Sequence, residues 1–139
     1  MTTLLDDSKD SVSPELKIGD TMPDGTIYAG ISPDTNKPMY ATPADAPLTM
    51  KFNQAMEYAA RLDAHGHQDW RLPNRDELNV LFNNRAAIGG FDLDDSYPAG
   101  WYWSTSPQGA DWTMPSQRFS DGFQRESPAS DRLSLRPVR

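Results

Sequence analysis

Apolar positions recur along this chain at two different periods, and the switch between them divides it. Thr26-Ile27-Tyr28-Ala29-Gly30-Ile31-Ser32 and Pro38-Met39-Tyr40-Ala41-Thr42 are short strand-like runs around Pro33-Asp34-Thr35-Asn36-Lys37, which reads as a β-hairpin. From Thr49, a plausible N-cap, Phe52, Ala55, Met56, Ala59 and Leu62 repeat at helical spacing up to the stop at Gly66. That spacing predicts an amphipathic helix of about four turns. Asn74 precedes Glu77 by one capping interval, and Leu78, Leu81 and Phe82 then form a stripe that ends before Gly89-Gly90, predicting a second, shorter helix. Beyond Gly90 the pattern becomes short aromatic runs broken by Pro, Gly, Asp and Ser: Trp101 to Thr105, Ser116 to Ser120, Phe123 to Glu126, and Leu133 to Val138. Asp121-Gly122 between two of these is a tight-turn signal. A hairpin, two helices and a run of antiparallel strands, with no internal repeat, predict an α+β fold.

Composition narrows this picture. The 139 residues suit one domain, and 37% hydrophobic content is enough for one modest core. Twelve prolines and nine glycines favour turns and short elements over a helical bundle. The absence of cysteine removes disulfides, thiolate metal sites and cysteine nucleophiles together. A net charge of −7 disfavours nucleic acid as a partner, because phosphate binding needs a clustered basic surface. Residues 1–20 are an acidic, apolar-poor tail, expected to dock on its own domain or on another subunit, and residues 21–139 form the domain. Met1 to Asp7 has neither a basic nor an apolar signal-peptide region, so no export signal and no membrane partner are expected.

Four motifs in order carry a family resemblance. Asp69-Trp70-Arg71-Leu72-Pro73 leads into the helix with Glu77-Leu78; Tyr102-Trp103-Ser104-Thr105-Ser106, Phe119-Ser120-Asp121-Gly122 and Leu135-Arg136-Pro137-Val138-Arg139 follow. From about Gly25 to its end the chain resembles the Lcl C-terminal domain family, named for the C-terminal domain of a bacterial collagen-like adhesin. The resemblance implies a C-type-lectin-like fold, with two helices flanking a small antiparallel sheet, paired terminal strands and a loop-rich binding region. That scaffold is similar to phage receptor-binding proteins and to formylglycine-generating enzymes. Family members are extracellular or virion-associated binding modules, and the adhesin is associated with sulfated glycans. This chain departs from the pattern in lacking a collagen-like stalk and the cysteines of the formylglycine-generating relatives.

Candidate chemistry is sparse. His65-Gly66-His67 with Asp69 has the donors for a metal but no third ligand at proper spacing, so capping and loop roles are expected. Asp92, Asp94 and Asp95 lack the glycine and distal glutamate of a calcium loop. No nucleophile elbow, phosphate-binding glycine loop or zinc-protease helix is present, so no enzyme activity, metal or cofactor is expected. Trp70, Trp101 and Trp103 are expected in the core, whereas Trp112 sits among loop formers, either folded back or displayed. A two-residue turn at Asp121-Gly122 would place Arg118 opposite Arg125, an arrangement that requires an acid or a bound anion. Asp111, Glu126 or Asp131 could supply that acid, or a one-residue shift could bring Glu126 opposite Arg118.

The expected ligand-binding residues are therefore Asp111, Trp112, Gln117, Arg118, Gln124 and Arg125. The expected role is a non-catalytic recognition domain for a surface glycan or protein receptor. Its expected setting is a phage or phage-like virion, as decoration, fibre or tail component. There the N-terminal segment would contact other particle subunits, a homotrimer being one assembly, and the chain would be cytoplasmic before release. The alternative is an intracellular protein-binding module of the same fold, acting as an acidic inhibitor or structural subunit.

Overall fold

The computed structural model describes residues 16–106 and 112–139. The N-terminal segment before Leu16, including most of the expected docking tail, lies outside the described residues, as does Asp111. The order is β1 (Ile27–Ile31), β2 (Pro38–Ala41), α1 (Phe52–Arg61), α2 (Arg75–Asn83), α3 (Arg85–Ile88), β3 (Trp101–Trp103), β4 (Thr113–Arg118) and β5 (Gln124–Pro128). The β1–β2 hairpin and the antiparallel β3–β4–β5 sheet make this a mixed α+β fold, as the periodicity predicts.

Alternation along β3 explains where the cores lie. Tyr102 points to one face with Phe119, Leu78, Leu81, Ile88 and the hairpin residues Ile27, Ala29 and Met39. Trp101 and Trp103 point to the other with Phe52, Ala55, Ala59, Leu72, Leu133 and Leu135. Trp70, Trp101 and Trp103 are all buried, as expected.

The C-terminal run is held by its pairings with four separate parts of the chain. Leu133 and Met50 exchange backbone hydrogen bonds, Ser134 N–H donates to the Trp101 carbonyl, Val138 pairs with Arg71, and Arg139 pairs with Tyr40. These are isolated bridges rather than the regular strand expected over Leu133 to Val138. The C-terminal run is thus laced through the hairpin, the loop before α2 and the sheet.

The helices differ from expectation in detail. α1 starts at Phe52 with Lys51 as its N-cap, so Thr49 is not the cap, and its ten residues fall short of four turns. Met56, read as part of the buried stripe, is exposed. At α2 the capping box forms as predicted: the Asn74 side chain accepts from Glu77 N–H at 2.8 Å and Glu77 accepts from Asn74 N–H at 3.0 Å. The helix stops at Asn83, where the next residue, Asn84, turns its amide onto the Val80 carbonyl at 2.9 Å and leaves helical geometry. The stripe continues as the separate turn α3.

A candidate recognition surface on the aromatic sheet

β4 and β5 pair with Gln117 opposite Gln124 and Ser116 opposite Arg125. This corrects the predicted register: Arg118 N–H donates to the Phe123 carbonyl at 2.8 Å, so residues 119–122 form a four-residue connection instead of a two-residue turn. Arg118 and Arg125 are not directly opposite, and Glu126 faces Pro115 rather than Arg118. The physical reason is Phe119. It is fully buried against Tyr102 and Phe82, and placing it there draws the chain around before Asp121-Gly122 can close the strands.

The two arginines still share a face, that of Trp101. The Arg125 guanidinium lies 4.1 Å over the Trp101 ring and 5.4 Å from Tyr97; Arg118 lies 5.3 Å from Trp101 and 5.4 Å from Phe123. Phe123 meets Trp101 edge-on at 6.1 Å. The result is a row running Tyr97, Arg125, Trp101, Arg118, Phe123, whose outer rings are both more than half exposed at 55% and 54%. Each cation–ring contact contributes about 0.5–1 kcal/mol at such a surface.

The charges of the two arginines are disposed of differently. Arg118 binds Asp121 through two bonds, Nε to Oδ1 at 3.0 Å and Nη2 to Oδ2 at 2.7 Å, with Asp95 at 3.5 Å. That pairing, aided by the Phe123 amide, holds the Asp121 carboxyl at about 2. Arg125 is exposed, donates a long 3.4 Å bond from Nε to Ser127 and also interacts with the Tyr97 hydroxyl. Among the described residues no carboxylate comes within ion-pair distance of Arg125. Asp131, one of the acids expected to neutralise it, instead accepts the Tyr97 hydroxyl proton, and this bond raises the pKa of Tyr97. Glu126, another, is taken by Arg75 at 2.9 Å.

Gln117 and Gln124 lie on the opposite face. Gln117 is buried, donating from Nε2 to Asn79 Oδ1 at 3.0 Å and to the Gly122 carbonyl at 3.1 Å, and so fixes the 119–122 connection. Its Oε1 is buried without a partner. Both glutamines border a cavity of about 230 Å³, along with Arg75, Leu78, Arg125 and Glu126. Trp112 is at the far end of β4, six positions from Arg118, a separation of roughly 20 Å at about 3.3 Å per residue. It is displayed, 79% exposed. Of the expected site residues, Gln117, Gln124 and Arg125 thus border one cavity, Arg118 and Arg125 share the aromatic row, and Trp112 stands apart.

The other candidate groups are engaged in the frame. His67 Nε2 is 2.7 Å from Asp24 Oδ2 and His65 Nδ1 is 3.1 Å from the Asp24 carbonyl, while Asp69 takes both Arg139 nitrogens. Asp92 Oδ1 accepts from Asp94 N–H at 3.0 Å. Among the described residues no three His, Asp or Glu side chains converge as metal ligands, and no helix is long and apolar enough to cross a membrane.

The family model of the Lcl C-terminal domain matches residues 30–139. The chain belongs to this family. No curated protein matches it. In this Lcl C-terminal domain the residues that carry the family motifs build the frame. Arg71 and Glu77 pair beneath the hairpin, and Arg136, with no exposure, donates to the Thr42 carbonyl, the Gly89 carbonyl and Asp45. Tyr97, Phe123 and Asp95 complete the exposed row but were not among the expected site residues. The signal available was the exposed placement implied by their turn-forming neighbours, Pro98 and Gly122.

Proposed function

We propose that this Lcl C-terminal domain is a non-catalytic recognition module on a C-type-lectin-like frame, holding a glycan or protein receptor on the Trp101 face of its sheet. The observation that carries this reading is Arg125: an exposed guanidinium stacked on aromatic rings and free of any carboxylate within reach among the described residues. Such a group is already desolvated on one side and oriented, so binding an acidic group costs little further ordering. Trp112 is a second anchor at the other end of the strand.

The carboxylates support a non-catalytic role. Those whose pKa is displaced, Asp24, Asp45, Asp69, Glu77 and Asp121, are all hydrogen-bonded within the frame. In this reading the module decorates a phage or phage-like particle, as fibre or tail component, with residues 1–20 contacting neighbouring subunits and a homotrimer as the assembly. The test is saturable binding of the purified chain to a glycan array and to intact host cells. Trp112→Ala is expected to weaken binding without lowering the melting temperature, Arg125→Ala to weaken binding with a loss of about 1–2 kcal/mol of stability from its two ring contacts, and a chelator to have no effect. Turnover of a bound ligand, or no binding on either platform, overturns the proposal. The particle role is tested separately, by incorporation of a chain lacking residues 1–20.

A further inference from the structure

The recognition reading leaves the ligand's chemistry open, and the row on the Trp101 face narrows it. Two arginines lie there, but only one charge is available. Arg118 is closed by the bidentate Asp121 pair and by Asp95, whereas Arg125 is exposed, has the Ser127 and Tyr97 hydroxyls as side-chain partners, and meets no carboxylate within ion-pair distance among the described residues. Acids lie along the same row: Asp95 and Asp121 beside Arg118, Asp131 on the Tyr97 hydroxyl. The chain as a whole carries −7. A densely charged polyanion laid along this face would meet one free guanidinium and several carboxylates, and like charges at these separations repel. One isolated carboxylate, by contrast, can seat on the planar guanidinium fork without approaching the acids.

The flanking groups specify what should be attached to that carboxylate. Tyr97 presents an exposed ring 5.4 Å from the Arg125 guanidinium, and its hydroxyl is fixed by Asp131, so the ring is held in place as a wall. A flat, partly apolar ring stacks on such a wall at low entropic cost.

We infer that the Arg125–Tyr97 end of the row is a subsite for a sugar residue bearing a single carboxylate, of the uronic or sialic acid type, within an otherwise neutral glycan. The carboxylate pairs with Arg125 and the pyranose ring stacks on Tyr97. This rests on the glycan form of the recognition reading and excludes heavily sulfated polymers as the preferred ligand.

The experiment is an NMR titration of the full chain with four probes: sialyl-lactose, lactose, monomeric galacturonic acid and dextran sulfate. The acidic, non-sulfated sugars are expected to bind at least about tenfold more tightly than lactose, matching the worth of one charge-assisted hydrogen bond. Shifts are expected at the Arg125 side chain and the Tyr97 ring. Arg125→Gln removes the preference for acid and leaves the spectrum of the frame intact; Arg125→Lys restores only part of it, because the ammonium lacks the fork. Lys37→Ala, on the distant hairpin, changes nothing. Equal binding of lactose and sialyl-lactose overturns the inference while leaving the recognition reading standing. Tighter binding of dextran sulfate also overturns it. No binding by any probe removes the glycan reading together with the inference, leaving a protein receptor.

Discussion

Arg71 and Glu77 meet in a two-point ion pair, Nη1 to Oε1 at 2.6 Å and Nη2 to Oε2 at 2.8 Å, on a carboxylate with no solvent exposure. The same carboxylate accepts the Ser32 hydroxyl at 2.6 Å and the Asn74 amide at 3.0 Å. One side chain thus caps α2, pins the loop before it and holds the β1 end of the hairpin. Glu77→Ala removes all of these at once and leaves Ser32 and Asn74 without their acceptor. Breaking a buried pair by deleting one partner costs about 3–5 kcal/mol, and since Arg71 is partly exposed and can turn to water, the lower end applies, about 3 kcal/mol. Urea denaturation should show that loss with an unchanged m-value.

Acid should weaken the fold in a defined window. Burial opposes ionisation of Glu77, but the bonds from Arg71, Ser32 and Asn74 outweigh it and hold its pKa below the usual 4.5. Asp24, through the Thr26 amide and His67, and Asp69, through Arg139, are also held below the usual 3.8, and Arg118 holds Asp121 at about 2. A carboxyl depressed in the folded state stabilises above its unfolded pKa and loses that contribution as pH falls through the folded value. Asp45 runs the other way, raised by burial, and offsets part of the fall. Stability should therefore be level between about pH 7 and 5 and decline between about pH 4 and 2. Urea midpoints at pH 7, 5, 3 and 2 check this, and a midpoint that rises on acidification below pH 4 contradicts it.

The element types were legible because they rest on local periodicity: the hairpin and the capped helix after Asn74 follow from spacing, whereas the burial of Trp70, Trp101 and Trp103 was implied by the family motifs and by the weight of aromatics in a small core. The β4–β5 register was not. Asp121-Gly122 is a strong turn signal, but the burial of Phe119 is a tertiary preference that moves the strand ends, and it lies outside any short window. The same two-residue difference in register sets which residues stand opposite one another, while the face that each occupies follows from alternation along the strand. Site composition and its division between faces were thus partly readable, while the cross-strand partners depended on long-range packing.

Gly122 tests that packing directly. It sits at φ 86°, and a Cβ there would come within 2.6 Å of the Phe82 ring, which itself packs edge-on against Phe119 at 5.6 Å. Gly122→Ala combines the cost of a left-handed backbone, about 1 kcal/mol, with displacement of a packed ring, for a total of about 2–3 kcal/mol. For a chain of this length that is a fall of roughly 6–10 °C in melting temperature, read by calorimetry. A fall under 2 °C would mean that residues 119–122 do not hold this conformation in solution.

Trp101 and Trp112 should separate frame from contact. Trp101 is 4% exposed, sits in the cluster with Phe52, Leu133 and Leu135, and carries Arg125 on its ring. Trp101→Ala opens a cavity in that cluster and costs about 3–5 kcal/mol, and with the platform gone Arg125 loses its orientation as well. Trp112 is 79% exposed, so Trp112→Ala leaves stability within about 0.5 kcal/mol. Its effect should appear in receptor binding alone, at about 1–2 kcal/mol, since an exposed aromatic gains most of its contact area on association. Paired melts and binding isotherms on the two variants distinguish the roles. If Trp112→Ala destabilises as much as Trp101→Ala, its ring is part of the core and not a contact.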